Sequence, residues 1–263
     1  MHIGNPPTMR FAFLGSGSRG NAALIESGDT CLMLDCGFSA RETTTRLRML
    51  DYEGSHISAI LVTHEHGDHI NGVGVVARQY SLPVWMTAGT YRATQERLGK
   101  LPELHIFCPH KTFSVGEIDV QPFPVPHDAL EPSQFVFSAQ ERRLGILTDT
   151  GSITTHIKDQ LDGCDSLVIE CNHDRDMLME GVYPPSLKAR VGGEYGHLNN
   201  EMAAALLAQL DTGNLQHMVT AHLSEKNNTP YLAQTALSDV LGCEHNNIKV
   251  AEQERGLPWC DIA

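Results

Sequence analysis

Short apolar runs, most of them rich in β-branched or aromatic residues, recur along the chain between turn signals. They predict strands at 10–15 (RFAFLG), 22–26 (AALIE), 30–35 (TCLMLD), 59–63 (AILVT), 84–86 (VWM), 118–125 (IDVQPFPV), 134–139 (QFVFSA), 144–148 (LGILT), 166–170 (SLVIE) and 217–221 (HMVTA). Helical periodicity falls between them, over 39–50, 71–80, 90–99, 199–210 and 229–241. The early strands follow one another at hairpin spacing and the later ones alternate with helices. This pattern suggests an α/β chain built as a four-layer αββα sandwich, two sheets face to face with helices outside. No linker, low-complexity tract or strong repeat divides it, so residues 1–263 are expected to form a single domain. The least regular stretch is 173–196, broken by Pro184-Pro185 and Gly192-Gly193; it suits a flap beside a site or a plain surface excursion.

Composition narrows the function. A hydrophobic fraction of 41% and a mean hydropathy of -0.21 are ordinary globular values. No apolar run is long enough to cross a bilayer, and MHIGNPPTMRFAFLG lacks the basic start and apolar middle of an export signal. A cytoplasmic protein with no membrane partner is expected. The seven cysteines are odd in number and never spaced as C-x-x-C, which argues against a disulfide framework or a zinc ribbon. A net charge of -13 argues against a broad basic surface for nucleic acid, so a polyanion would need a local positive site.

Such a site is suggested by THEHGDH, which crowds His64, His66, Asp68 and His69 just beyond a strand. In an extended segment residues i and i+2 point the same way, so His64 and His66 can address one cation. Gly67 then permits a tight reversal that turns Asp68 and His69 toward a second position. His127, Asp149 and His222 also stand just beyond apolar strands, where α/β folds assemble sites. Imidazole and carboxylate together suit zinc, manganese or iron. Two further segments offer anion contacts. In GSGSRGN, Ser16, Ser18, Arg19 and Asn21 supply donors among glycines. In GHLNNEMAAALL, Asn199 or Asn200 can cap a helix whose N-terminus faces a phosphate, with His197 two residues ahead.

THEHGDH, a later His, the Asp of TDTG and a final His together resemble the metallo-β-lactamase superfamily, essentially end to end. The resemblance implies that His64, His66 and His127 bind one metal, that Asp68, His69 and His222 bind a second, and that Asp149 bridges them. Asp35 matches an aspartate that orients the ligand loop. FLGSGSRGNAALIES, IECNHD and GHLNNEMAAALL are similar to motifs of the YycJ/WalJ-like group, itself related to ribonuclease Z and the phosphodiesterase PhnP; Asn199 stands where that group usually has Ser. A dinuclear phosphodiesterase of the 5′-to-3′ DNA exonuclease type is implied, in which a hydroxide held between two divalent ions, zinc or manganese with iron as an option, attacks phosphorus. Asp68 or Asp149 would help orient the attack and His197 would protonate the leaving oxygen. Asn172 is expected to touch substrate, with Glu170 and His173 supporting the ligands. Weak, salt-sensitive binding of DNA or another phosphodiester follows from the charge, and no obligate protein partner is evident. The rival is a thioesterase of the glyoxalase II type, whose basic helical C-terminal region the short, mixed C-terminus here does not match.

Overall fold

Alternate residues of nearly every strand go to different layers. The computed structural model describes residues 9–263; Met1 to Thr8, part of the segment searched for an export signal, lie outside the described residues. In β1 (Met9–Gly15), β2 (Ala22–Ser27), β3 (Thr30–Leu34) and β4 (Ala59–Leu61), one parity faces a central core: Met9, Phe11, Phe13, Ala23, Ile25, Leu32, Leu34, Ala59 and Leu61. The other parity, including Leu14, Leu24, Met33 and Ile60, packs beneath α1 (Ala40–Met49), α3 (Val73–Tyr80) and α4 (Ala88–Leu98). Both faces are apolar because both are covered, which is why these runs read as continuous rather than alternating.

With β5 (Pro83–Met86), β6 (Glu103–Ile106) and the C-terminal β14 (Leu257–Ile262), they form a seven-stranded sheet of order β14-β1-β2-β3-β4-β5-β6. The second sheet contains β7 (Phe113–Val115), β8 (Ile118–Pro124), β9 (Ser133–Ala139), β10 (Arg142–Leu147), β11 (Ser166–Glu170), β12 (His217–Ala221) and β13 (Lys249–Val250), in sequence order across the sheet. Phe135, Phe137, Leu144, Ile146, Val168 and Val219 complete the central core, while Val136, Leu147, Leu167 and Ile169 lie under α5 (Thr155–Leu161), α8 (Asn200–Leu207) and α9 (Pro230–Leu241). Two sheets flanked by helices make the expected αββα sandwich. Each sheet changes from antiparallel to parallel pairing partway across, at β3 in the first and β10 in the second.

Several boundaries differ from the sequence expectation. The strand expected over 59–63 ends at Leu61, and the helix expected over 71–80 is preceded by a separate turn, α2 (Gly67–Ile70). Gly67 opens that turn without a positive φ, and the chain reverses there through the His69 amide, which donates to the His66 carbonyl at 3.0 Å and so presents Asp68 from the first turn of α2. Inside 173–196 lie two short helices, α6 (Arg175–Glu180) and α7 (Pro185–Val191). No helix among the described residues is long and apolar enough to cross a membrane.

Candidate metal centre and cleft

The parallel strands β3, β4, β10, β11 and β12 end near one another, and the chemistry sits at or just beyond those ends, as expected where strands of an α/β sheet deliver a site. Asp35, Asp149 and His222, following β3, β10 and β12, all have left-handed backbones, with φ of 59, 52 and 55°. Non-glycine residues there cost about 1–3 kcal/mol each and persist only where surrounding contacts hold them. Gly37 lets the loop after β3 press on the ligand loop, since a Cβ there would lie 1.6 Å from the Asp68 carbonyl oxygen.

Ligand atoms of His64, His66 and His127 lie within 4.8 Å of one another, as do those of Asp68, His69 and His222; His64, His69 and Asp149 make a third such group. Asp149 therefore stands between the two triads. Each histidine is oriented from behind. His127 donates from Nδ1 to the Gly196 carbonyl at 3.0 Å, His69 Nδ1 meets Asp35 Oδ2 at 2.8 Å, and His222 Nδ1 meets Glu170 Oε1 at 2.9 Å. Asp35 also accepts from the Thr63 amide at 2.8 Å and hydroxyl at 2.9 Å, and that hydroxyl lies 2.9 Å from His64 Nδ1. Glu170 receives His197 Nδ1 at 2.8 Å on Oε1, with the Thr150 and Leu198 amides on Oε2.

Whether cations fit is answered by the atoms left over. His64 Nε2, His222 Nε2 and Asp149 Oδ2 are buried without a hydrogen-bond partner, a cost of about 1–3 kcal/mol per group. The ion-pair partners of Asp35, Asp68, Asp149 and Glu170 are all histidines. In the metal-free chain those carboxylates draw protons onto the rings. Burial opposes charge on His69, yet Asp149, Asp35 and Asp68 hold it well above the ordinary range. His222 is pushed up to about 10 against burial, chiefly by Asp149. His64 goes the other way, well below the ordinary range, because burial and its neighbouring histidines both oppose charge. Burial raises Glu170, but the His197 charge and the hydrogen bonds from both rings bring it down to about 2. A site with this many buried carboxylates and no Lys or Arg among their partners calls for cations.

The centre opens into a cleft of about 230 Å³, walled by Ser18, Asn172, Tyr183, Leu187, Arg190 and His197 among others. Of the expected substrate contacts, Ser18, Asn172 and His197 line it; the rest serve elsewhere. Ser16 Oγ donates to Asn21 Oδ1 and accepts from the His222 amide at 2.9 Å, so it holds a ligand's backbone. Asn21 spans Gly17, Asp68 and His69. Arg19 turns outward to Glu225 and Glu254. Asn199 does cap α8, accepting from the Met202 amide at 2.7 Å, but faces away from the cleft. The phosphate cradle expected at this helix start is largely taken up, because Glu170 also accepts from Leu198 and the His173 carbonyl from Asn200. His173 lies buried on the far side of the wall that carries Asn172. Asp128, which pairs with Arg190 at 2.7 Å on the cleft rim, went unnoticed in the sequence although it directly follows His127. Tyr183, Leu187 and Arg190 come from the irregular 173–196 stretch, which therefore supplies one wall of the cleft.

Fold and centre together define a superfamily. Residues 30–222 match the model of the β-lactamase superfamily domain, and the chain belongs to the metallo-β-lactamase superfamily. Its relatives include the exodeoxyribonuclease YycJ of Bacillus anthracis, 38% identical over 235 residues and 89% of either chain. The exodeoxyribonuclease WalJ of Streptococcus pneumoniae serotype 2 (strain D39) is 34% identical over 236 residues, 88% of either chain. Among solved structures, the metallo-β-lactamase fold protein YhfI of Bacillus subtilis shares the fold with a TM-score of 0.74 at 16% identity, over 96% of this chain and 99% of that one.

Proposed function

We propose that this chain is a metal-dependent exodeoxyribonuclease that removes nucleotides from the 5′ end of DNA, using two divalent ions, zinc or manganese. His64, His66 and His127 would hold one ion and Asp68, His69 and His222 the other, with Asp149 shared. The observation that carries the reading is the adjacency of these triads to His197, a ring in the same cleft whose Nδ1 is engaged by Glu170 while Nε2 is left for the cleft. When bound, the ions supply Lewis acidity and a water acidified to near neutrality.

The protein's own groups do the rest. Burial resists a proton on His197, but Glu170 outweighs it and raises the pKa, so the ring carries the proton that a departing sugar oxygen needs. Asp68, on the cleft floor, orients the attacking water. Asn172, fixed by donating to the His222 carbonyl at 3.0 Å, and Ser18 are placed to contact the phosphate. Asp35 and Glu170 keep ligand rings in register. The seven cysteines are all free, which suits a cytoplasmic setting. The relatives named as exodeoxyribonucleases support DNA as the polymer.

The test is hydrolysis of a 5′-phosphorylated DNA duplex by metal-free protein given back zinc or manganese, beside His197→Ala. Metal-dependent release of nucleotides that falls by about 10²–10⁴-fold in the variant is expected. A protein that takes up both ions yet cleaves no phosphodiester would reject the reading.

A further inference from the structure

Helix α7 has two working faces. Leu187, Arg190 and Val191 line the metal cleft, whereas Pro185, Lys188, Ala189 and, just beyond the helix, Gly192 line a separate cavity of about 520 Å³. The remaining wall between the two spaces is shared in the same way. Asn172 and His197 face the cleft; His173 and Asn199 face the cavity. That volume suits a ligand of nucleotide size.

The lining of the cavity runs against the net charge of the chain. In a chain of net charge -13, no carboxylate lines it, although Asp176 and Glu180 lie on α6 nearby. Arg175 lines it, and its guanidinium has no hydrogen bond or ion pair among the described residues. Lys188 joins it, its ammonium donating to the Met179 carbonyl at 2.6 Å. At the back lies His173, only 2% exposed, with no hydrogen-bond partner at Nδ1 and with Nε2 directed toward Gly192. Burial holds this imidazole down at about 4, so at neutral pH it has one donor and one acceptor nitrogen and no charge. Leu178, Met179 and Pro185 give an apolar wall. A flat heteroaromatic ring joined to an anion meets all of these groups at once.

We propose that this cavity is a second nucleotide site. It takes a nucleoside 5′-monophosphate unit with its base against Leu178, Met179 and Pro185, within reach of His173, and its phosphate at Arg175 and Lys188. The choice of a nucleotide over other aromatic anions rests on the nuclease reading, since the adjoining cleft would release one at every turnover. The unit comes either from free product or from a neighbouring nucleotide of the strand being cut.

The experiment is equilibrium dialysis of metal-loaded protein against 2′-deoxyadenosine 5′-monophosphate, with the variant Arg175→Ala/Lys188→Ala alongside. Bis(p-nitrophenyl) phosphate hydrolysis serves as an independent reading of the cleft. Two nucleotides per wild-type chain and one per variant chain, with diester hydrolysis within twofold of wild type, is the expected result. A single nucleotide in the wild type that the variant retains, or equal binding by both proteins, overturns the second site. If two sites fall to one while neither protein hydrolyses any phosphodiester, the second site stands and the nuclease reading fails. The source is read from the variant's kinetics. At least a fivefold loss of kcat/KM on a tetranucleotide but not on a dinucleotide assigns the site to the strand; loss of inhibition by the monophosphate alone assigns it to free product.

Discussion

Glu170 places four donors on two oxygens: His197 and His222 share Oε1, while the Thr150 and Leu198 amides share Oε2. One fully buried carboxylate thus sets both a candidate ligand and the candidate acid. Glu170→Gln keeps the shape, but its one carbonyl oxygen can serve either the two rings or the Thr150 and Leu198 amides, and its amide nitrogen then opposes the other pair of donors. Loss of such a support costs about 10–100-fold in activity or metal affinity, so kcat on DNA is expected to fall by that factor with metal content checked in parallel. A variant of full activity would remove Glu170 from the proposed machinery. His173 gives a residue-scale prediction about stability. The unfolded imidazole gains a proton near pH 6.5, whereas burial holds the folded one down at about 4. Between those values the unfolded chain binds more protons, so stability drops as pH falls through the window, by roughly 2 kcal/mol at pH 5. Urea unfolding at pH 7 and pH 5 should show His173→Gln losing about that much less than wild type; equal losses would refute a neutral buried ring. Individual residues were unevenly legible in the sequence. The triads were visible because THEHGDH is local and the other ligands follow strands. Ser16, Asn21 and Arg19 do not line the cleft, and the sequence could not show this, because donors in a glycine loop look alike whether they line a cleft, as Ser18 does, or turn to other partners in the protein.

Among the elements, the β1–β2 loop and the loop after β3 are both joined to the ligand turn α2 by backbone contacts that carry no sequence signature. The Asn21 amide donates to the Asp68 carbonyl at 2.8 Å, and Cys36 donates to that of His69 at 2.8 Å. Both bonds need the close approach that Gly37 allows. In Gly37→Ala the methyl would overlap the Asp68 carbonyl, and backbone cannot yield as a flexible side chain does. The α2 turn should shift, taking Asp68 and His69 from His222 while the sandwich remains. Metal analysis with circular dichroism is the check: reduced metal content with unchanged secondary structure is expected, and full occupancy would show that the loop is more compliant than its contacts indicate. The strands that build the interior were readable because their apolar faces are covered on both sides. The missed ones, β6, β7, β13 and β14, are short or lie at sheet edges, where exposure interrupts the pattern; β14 also contains Pro258. Helices α6 and α7, of 6 and 7 residues, are too short to show an amphipathic repeat. The left-handed turns at Asp35, Asp149 and His222 are imposed by tertiary contacts that no local pattern encodes.

Over the whole molecule, a charge of -13 must be reconciled with a polyanionic substrate. The basic residues do not gather round the cleft. Arg46 is buried, donating to the Leu14 and Gln253 carbonyls, and Arg19 is committed to Glu225 and Glu254. Arg190 is the one Lys or Arg lining the cleft among the described residues, and Asp128 already pairs with it. Binding would then depend on the metal centre and about one displaced counterion. For duplex DNA the slope of log affinity against log salt is about -0.9 per neutralised phosphate, so a strand held only in the cleft should show a slope near -1. Raising salt from 50 to 200 mM would weaken KM by about fourfold, far less than the 10³-fold or greater loss of a protein with many phosphate contacts. The salt sensitivity anticipated from composition is thereby reduced to a single contact, and Arg190→Ala should flatten the slope by about one. A strand that also reached Arg175 and Lys188 would steepen it toward -3, which the Arg175→Ala/Lys188→Ala variant would reverse. Measuring KM for a duplex across that salt range in the three proteins separates these cases. A wild-type slope beyond about -5 would mean that a basic surface outside both cavities carries the binding.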